Sequence, residues 1–420
     1  MGELEHIPFN RPYTTGRELS AIADAISRGH ISADGNYSRE CRLGLQEMLG
    51  ASQALVVNSC TAALELSALL LDLGPGDEVI MPSYTFVTTA TAFALRGATP
   101  VFVDIRPDTL NLDESLVEAA ITERTRAIVA VHYAGVACEM QSLQSLTDAH
   151  SLALVEDAAQ GICASYRGVP LGTMGTFGAI SFHETKNVTC GSGGALVVND
   201  ARYHERAEVL RDKGTNRSSF IRGEVDKYTW TDLGSSYAIS DLAAAFLLPQ
   251  LQESGSITRE RGRLWNAYHK AFAGAEAQGL VRRPIVPPEA EHNAHMYYLL
   301  LPSQRERDRL IRELAERDIN AVFHYVPLHS SPAGRRYGRV HGTLAVTEEM
   351  SARLVRLPLW SGMEQATLER VVAAVGEILG AASQRRRIVV KQAGRDGAGR
   401  EVGIAPRAGG EASRSKHLAR

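Results

Sequence analysis

From Ala54 onward the chain repeats one unit: a short apolar run, a polar turn, then a helix-length stretch. The runs are Ala54 to Val57, Glu78 to Met81, Val101 to Asp104, Ala127 to His132, Leu152 to Asp157 and Phe177 to Phe182. Runs this short and this apolar predict strands covered on both faces. Their alternation with helices predicts a parallel or mostly parallel sheet with helices on both sides, an α/β fold. Ligands in such folds bind beyond the carboxyl ends of the strands, so the residues that follow each run are the candidates for chemistry.

Four of these strand ends are informative. Asn58-Ser59-Cys60-Thr61 leads into a helix expected over Ala62 to Leu71. The unpaired N–H groups of such a helix start, with the Ser59 and Thr61 hydroxyls, suit a phosphate, although Ser and Thr also cap helices that bind nothing. Pro82-Ser-Tyr-Thr-Phe86 opens the next helix, toward Arg96. Asp157 ends a buried strand, where a carboxylate needs a partner to offset its desolvation. A protonated ring nitrogen would serve; so would capping of a helix at Ala158-Ala159-Gln160. Ser181-Phe-His-Glu-Thr-Lys186-Asn187 follows the last run, ahead of Gly191-Ser-Gly-Gly194. At such a strand end Lys186 is partly desolvated, which lowers its pKa and frees the amine for a Schiff base with a carbonyl cofactor. The alternative is a solvated lysine on a polar turn.

Bulk properties narrow the partners. With 420 residues and 44% hydrophobic content the chain can bury a large core in two or three domains. A net charge of -3 argues against nucleic acid or an anionic membrane as the main partner. The five cysteines show neither zinc-like pairs nor a disulfide framework, as expected of reduced thiols in the cytoplasm. No metal site is expected. Met1 to Thr15 has no apolar signal core, and no apolar span is long enough for a bilayer.

The remaining elements follow from periodicity. An extended arm, Ile7 to Pro12, precedes a helix over Arg17 to Arg28 with Leu19, Ile22, Ala23 and Ile26 as its apolar stripe, and a second helix runs from Arg39 to Leu49. The loop Gly214 to Lys227, with Arg217 and Arg222, is long and basic enough for a lid over an anionic substrate. Strands at His295 to Leu301 and Ala321 to Tyr325, with helices near Arg305 to Arg317, Thr347 to Leu354 and Gln365 to Leu379, predict a smaller α+β layer. The expected division is a large unit over 1–255, a small unit over 256–380, and a tail over 381–420. That tail holds ten Lys or Arg against three acids, with few aromatics, and is expected to be disordered.

Taken together, Asn58 to Thr61, Pro82 to Phe86, Glu156-Asp-Ala-Ala-Gln160, Ser181 to Asn187 with Gly193-Gly194, and His324-Tyr-Val-Pro-Leu-His329 resemble one family in order and spacing. It is the pyridoxal-phosphate-dependent sugar-nucleotide aminotransferases of the DegT/DnrJ type, fold type I. The resemblance spans Ile7 to Gly380. It implies a Schiff base on Lys186, a ring nitrogen held by Asp157, a phenolic oxygen bonded by Gln160, and Phe86 against the ring. Ser59, Cys60, Thr61 and Ser181 would hold the cofactor phosphate, helped by Ser236 from a second copy in a homodimer. Many relatives carry Asn where Ser236 stands, and a hydroxyl reaches less far. His132-Tyr-Ala-Gly-Val-Ala-Cys-Glu139, Lys213 to Ser218 and Lys227-Tyr-Thr-Trp230 look most like enzymes acting on TDP-4-keto-6-deoxyglucose. On that likeness Arg217, Lys227, Tyr228 and His329 would face the sugar substrate, with glutamate as the amino donor; His329 has an equal claim to a packing role. A 3-aminotransferase on a TDP-3-keto-6-deoxyhexose and a non-catalytic regulatory homologue are the competing readings. A sugar 3-dehydratase on the same scaffold would carry histidine in place of Lys186.

Overall fold

The computed structural model describes residues 5–397, with side chains through 381. Its strands in the main sheet are β1 (Ala54–Val57), β2 (Glu78–Pro82), β3 (Thr99–Val103), β4 (Thr125–Val131), β5 (Ala153–Ala158), β6 (Phe177–Ser181) and β7 (Gly194–Val198). A two-stranded sheet farther along pairs β8 (Tyr297–Leu300) with β10 (Leu354–Leu357), and the short β9 (Arg339–Val340) returns to the edge of the main sheet. The main order is β1-β7-β6-β5-β4-β2-β3-β9. Only β7 runs against its neighbours β1 and β6; the other pairs are parallel. The expected mostly parallel α/β sheet is therefore present, with one reversed strand.

Alternation across the sheet explains why the strands read as unbroken apolar runs. Leu154, Ile180, Ala195 and Val197 enter the core on one face, while Val155, Phe177, Ala179, Leu196 and Val198 enter the core on the other. Because both faces are covered, neither can be polar. Helices α1 (Glu18–Ser27), α2 (Asn36–Leu49), α3 (Cys60–Leu70) and α4 (Val87–Ala94) surround this sheet with α5 (Met140–His150) and α6 (His204–Arg211). The chain then passes through α7 (Arg217–Ile221) and α8 (Asp241–Gln252). A further core forms around α9 (Ser254–Ala271), α10 (Gln304–Ala315) and α12 (Gln365–Gly397), with α11 (Ala345–Arg353) leading into β10.

The structure corrects several expectations. In α1 the stripe through Leu19 and Ile26 is exposed, Leu19 at 83%, whereas Glu18, Ala21 and Ala25 are buried. Both sets have helical spacing, and the small alanines allow close packing on α8. The buried Glu18 accepts from the N–H groups of Thr15 and Gly16 and from Gln250. Ala321 to Tyr325 is no strand and makes one bridge, Val322 with Arg356. β10 takes its place, just after the helix pattern that obscured it. No helix follows Asp157; Ala159 and Gln160 form a turn. The basic segment is helical through Gly397, as a continuation of α12 rich in good helix formers. Residues 398–420 of the expected tail lie outside the described residues. Among the described residues no helix is long and apolar enough to cross a membrane, and no group of three metal-ligating side chains occurs.

The sheet's centre is pinned by a buried carboxylate. Glu156 on β5 is fully buried and accepts from the N–H groups of Gly172, Met174 and Gly175 at 2.6–2.8 Å, and from His132 Nε2 at 3.0 Å. Cys138 donates its N–H to His132 Nδ1 at 3.1 Å, which puts the ring proton on Nε2, toward Glu156. Glu156→Ala should destabilise the fold by about 3–5 kcal/mol, because four donors lose their acceptor together. Glu156→Gln, which keeps one oxygen, should cost less. The midpoint of denaturant unfolding at fixed protein concentration measures both.

Candidate active site

β1, β2, β4, β5 and β6 all end on one edge of the sheet, and the reversed β7 begins there. This topology brings the four sequence-predicted stretches together. After β6 the chain folds back on itself: Phe182 bonds Gly193 and Cys190, and Glu184 N–H bonds the Gly191 carbonyl at 3.0 Å. Lys186 sits in this turn, its N–H on the His183 carbonyl at 2.9 Å. The following residue fastens the turn to the far side of the cleft. Asn187 Nδ2 donates to the Asn293 carbonyl at 2.8 Å, and His295 Nδ1 donates to Asn187 Oδ1 at 3.0 Å. Burial holds the pKa of His295 well below its ordinary value, with Lys186 adding to the effect.

Lys186 is half-buried and is no surface lysine. Burial lowers its pKa from the ordinary 10.5. Cys60 and Asp157 pull it back up, and the Arg356 guanidinium pushes it down again. These influences place Cys60, Asp157 and Arg356 around the amine. Burial also lifts the Cys60 thiol well above its usual range, with Asp157 adding to the shift, so the thiol stays protonated and is a poor nucleophile.

Asp157, at the end of β5, is buried and firmly held. Thr89 donates to its Oδ2 at 2.7 Å, Thr85 pairs with Thr89 at 2.8 Å, and Ala159 N–H reaches Oδ1 at 3.2 Å. Gln160 accepts from Ala134 N–H at 2.6 Å through Oε1, which turns its Nε2 toward the Tyr325 hydroxyl at 3.1 Å. Phe86 immediately precedes α4 and is 55% exposed, with its ring 6.4 Å from that of Tyr325. An aromatic ring this open beside buried polar groups offers a face for a planar ligand.

The start of α3 supplies the anion-binding part. Ser59 caps the helix by accepting from Ala62 N–H at 3.1 Å, and the N–H groups of Cys60 and Thr61 have no acceptor within the helix. Gly194 at the start of β7 passes so close that an added Cβ would stand 2.5 Å from the Cys60 nitrogen. Ser181 pairs with Gly194 across the strands and is buried there.

The other expected residues have partners of their own. Arg217 reaches Asp34 and Asp212, each at 3.3 Å, while Lys227 and Tyr228 occupy the exposed loop after α7. Ser236 is exposed, and its carbonyl accepts from Asn58 Nδ2 at 3.1 Å within the same chain. His329 bonds Ser83 through Nδ1 at 2.7 Å and Glu348 through Nε2 at 3.3 Å, so both ring nitrogens are engaged. The motif containing His329 instead delivers Tyr325 to the site. Thr89, Tyr133, Tyr325 and Arg356 were not anticipated. Thr89 is one helical turn beyond Phe86, and Tyr325 lay inside a recognised motif; Arg356 had no local signal.

The profile of the DegT/DnrJ/EryC1/StrS aminotransferase family matches residues 12–376. The chain belongs to this family. Among solved structures, this aminotransferase resembles TlmJ from Streptoalloteichus hindustanus, with 30% identity, TM-score 0.83, and 90% and 100% of the two chains covered. It also resembles DesV of S. venezuelae, solved in complex with a ketimine intermediate, at 33% identity and TM-score 0.80 over 89% and 98% of the chains. A sugar aminotransferase from Streptococcus pneumoniae matches in its PLP-form at 26% identity and TM-score 0.82, covering 90% and 99%. Pyridoxal phosphate, the cofactor expected from the sequence, is thus present in a structural relative of this aminotransferase. The donor set here fits it: an amine of lowered pKa, a buried carboxylate, an open aromatic face and a helix start with free N–H groups.

Lys186 should react with an amine-selective reagent at lower pH than a free lysine side chain. Because Asp157 raises the Lys186 pKa, Asp157→Asn should move the midpoint lower still. Reductive methylation across pH, read by peptide mass spectrometry on cofactor-free protein, tests this; a Lys186 midpoint equal to that of a lysine in a short reference peptide would refute it.

Proposed function

We propose that this aminotransferase moves an amino group from glutamate to the keto carbon of a nucleotide-linked deoxysugar. The substrate is C4 of TDP-4-keto-6-deoxyglucose and the product a TDP-4-amino-4,6-dideoxyhexose, formed in a two-stage, ping-pong reaction. The observation that carries this reading is the meeting of Lys186, Asp157 and the open Phe86 ring at one sheet edge, on a chain of the aminotransferase family. The motifs shared with enzymes of TDP-4-keto-6-deoxyglucose support the choice of sugar.

In this reading the Ser59, Cys60 and Thr61 segment and the Ser181 hydroxyl grip the cofactor phosphate at the start of α3. Phe86 lies against the ring. Asp157, oriented by Thr89, accepts the ring N–H, and Gln160 offers its amide N–H to the phenolic oxygen. Bound there, pyridoxal phosphate supplies the electron sink that lets a proton leave the carbon bearing the amine. Lys186 holds the cofactor at rest and, once displaced by the donor, carries that proton between substrate and cofactor carbons. Its lowered pKa favours the free amine that both tasks require. Arg217, Lys227, Tyr228 and His329 belong to the sugar-nucleotide side. Ser236 serves a second copy in a homodimer, although it also lies beside its own Asn58. The chain divides at about residue 255 into a cofactor-binding unit and a small unit closing at 380, and works in the cytoplasm.

Purified protein supplied with pyridoxal phosphate should show a visible band that borohydride fixes to Lys186. Lys186→Ala should lose that band and more than about 1,000-fold in transamination. Incubation with TDP-4-keto-6-deoxyglucose and glutamate should give a product with an amine at C4 by NMR. Turnover of a 3-keto isomer instead would overturn the position, and no cofactor uptake would overturn the function.

A further inference from the structure

Asn293 is a crossroads. It lies in the irregular chain between α9 and β8, is fully buried, and has both ends of its amide engaged. Its Nδ2 donates to the carbonyls of Gln160 and Ile162, each at 2.7 Å. Its Oδ1 accepts from the His295 N–H at 3.1 Å, and its own carbonyl accepts from Asn187 Nδ2 at 2.8 Å. These partners fix the orientation of the amide, because two carbonyls require the NH2 group and an N–H requires the oxygen.

The chain around Asn293 is shaped for close approach. Ala294 follows it in the left-handed conformation at φ 53°, which an alanine adopts only where its surroundings impose it. Arg261 of α9 holds that turn, donating Nε to the Ala294 carbonyl at 3.1 Å and Nη2 to that of His295 at 2.6 Å. On the other side Gly135 has φ 75°, and a Cβ there would stand 2.0 Å from Asn293 Oδ1 and 2.9 Å from the Gln160 carbonyl oxygen. Glycine at 135 is what lets Asn293 reach its partners.

The sheet does not carry the site residues all the way to their places. The pairing of β5 with β6 stops at Ala158 and Ile180, before Gln160 and Lys186 are reached. Past that point Gln160 is held by Ala134 N–H on its Oε1 and by Asn293 on its carbonyl, while Asn187 ties the lysine's turn to the same Asn293. We infer that Asn293 is a positioning residue that sets the span between the Lys186 amine and the Gln160 amide. The inference rests on the aminotransferase reading above, in which the lysine meets the aldehyde carbon of the cofactor and the glutamine its phenolic oxygen. Those two groups are neighbours on the ring, so the amine and the amide must keep one fixed separation, and a single buried side chain bonded toward both supplies it.

The test compares Asn293→Ser, which keeps one short donor, with Asn187→Ser, which frees only the lysine's side of the crossroads. In cofactor-free protein both should raise the methylation midpoint of Lys186 toward that of a free lysine side chain, since a loosened turn admits water. With pyridoxal phosphate bound, only Asn293→Ser should raise the pH midpoint of the visible band, by about one unit. A hydrogen bond from Gln160 weakens the phenolic oxygen's hold on the proton it shares with the lysine nitrogen, and losing one such bond shifts a midpoint by about that much. Asn293→Ser should also lose about 10- to 100-fold in kcat in both half-reactions, with little change in either KM, because the reacting groups are misplaced rather than unbound. Borohydride trapping of Lys186 shows in each variant that fold and cofactor site survive. If Asn293→Ser lowers the thermal midpoint yet leaves Lys186 reactivity and the band at wild-type values, Asn293 is a packing residue; the inference fails and the proposed function stands. If it moves only what Asn187→Ser moves, it does not position Gln160, and the inference fails equally. Hydrogen exchange on wild type covers a variant that does not fold: the amides of 159–162 and 183–191 should open together as denaturant rises, and separate openings would overturn the inference. Wild type that takes up no pyridoxal phosphate would fail the function, and this inference with it.

Discussion

The carboxylate of Glu156 is satisfied by three backbone N–H groups and one imidazole, and the site depends on that arrangement. A buried carboxylate with fewer donors would either protonate or pull the strand out of register. With all four in place, the end of β5 is tied to the 172–175 turn on one side and to His132, just after β4, on the other. Side chains alternate across a strand, so fixing Glu156 toward one face fixes Asp157 toward the opposite one. Two adjacent acids thus do separate work. The first is consumed by structure, and the second is left with only Thr89 and one N–H, which orient it while leaving it able to accept from a ligand.

The same economy governs the charges around Lys186. Burial alone would favour the neutral amine, and the nearby Asp157 opposes that by stabilising the ammonium. Arg356 restores the balance toward the free amine without touching it. A lysine that must alternate between attachment and proton transfer benefits from such opposed influences, since neither protonation state becomes prohibitive.

Much of this was legible in the sequence, for identifiable reasons. β1, β2, β5 and β6 are covered on both faces, which leaves continuous apolar runs ending in polar residues, and parallel strands deliver those ends to one edge. Lys186, Asp157, Gln160, Phe86 and Ser59 to Thr61 all follow such runs, so each could be found from its neighbours. The exposed stripe of α1 was misread because two helical spacings coexist there, and sequence periodicity cannot say which one meets α8. β7 went unread behind its glycines although Ala195 to Val198 is as apolar as any strand. The exposed loop holding Lys227 and Tyr228 carries composition but no periodicity.

Arg356, Tyr325 and His295 escaped for a different reason. Each lies more than a hundred residues beyond Lys186 in sequence, on β10 or in irregular chain beside β8, and each matters only through what packs against it. Periodicity reports local faces, so a lone polar residue inside a short strand registers as noise. Arg356 acts on Lys186 through space, and such an influence is visible only when the neighbours are in place. The part of the site that binds the cofactor is therefore written in contiguous motifs at the strand ends. The part that selects what reacts is assembled across the cleft, where Asn187 and His295 join the lysine's turn to the residues from the far side. The Gln160–Tyr325 hydrogen bond and the bonds of Asn293 to the Gln160 and Ile162 carbonyls cross the same cleft, so cofactor binding and substrate choice are joined at more than one point.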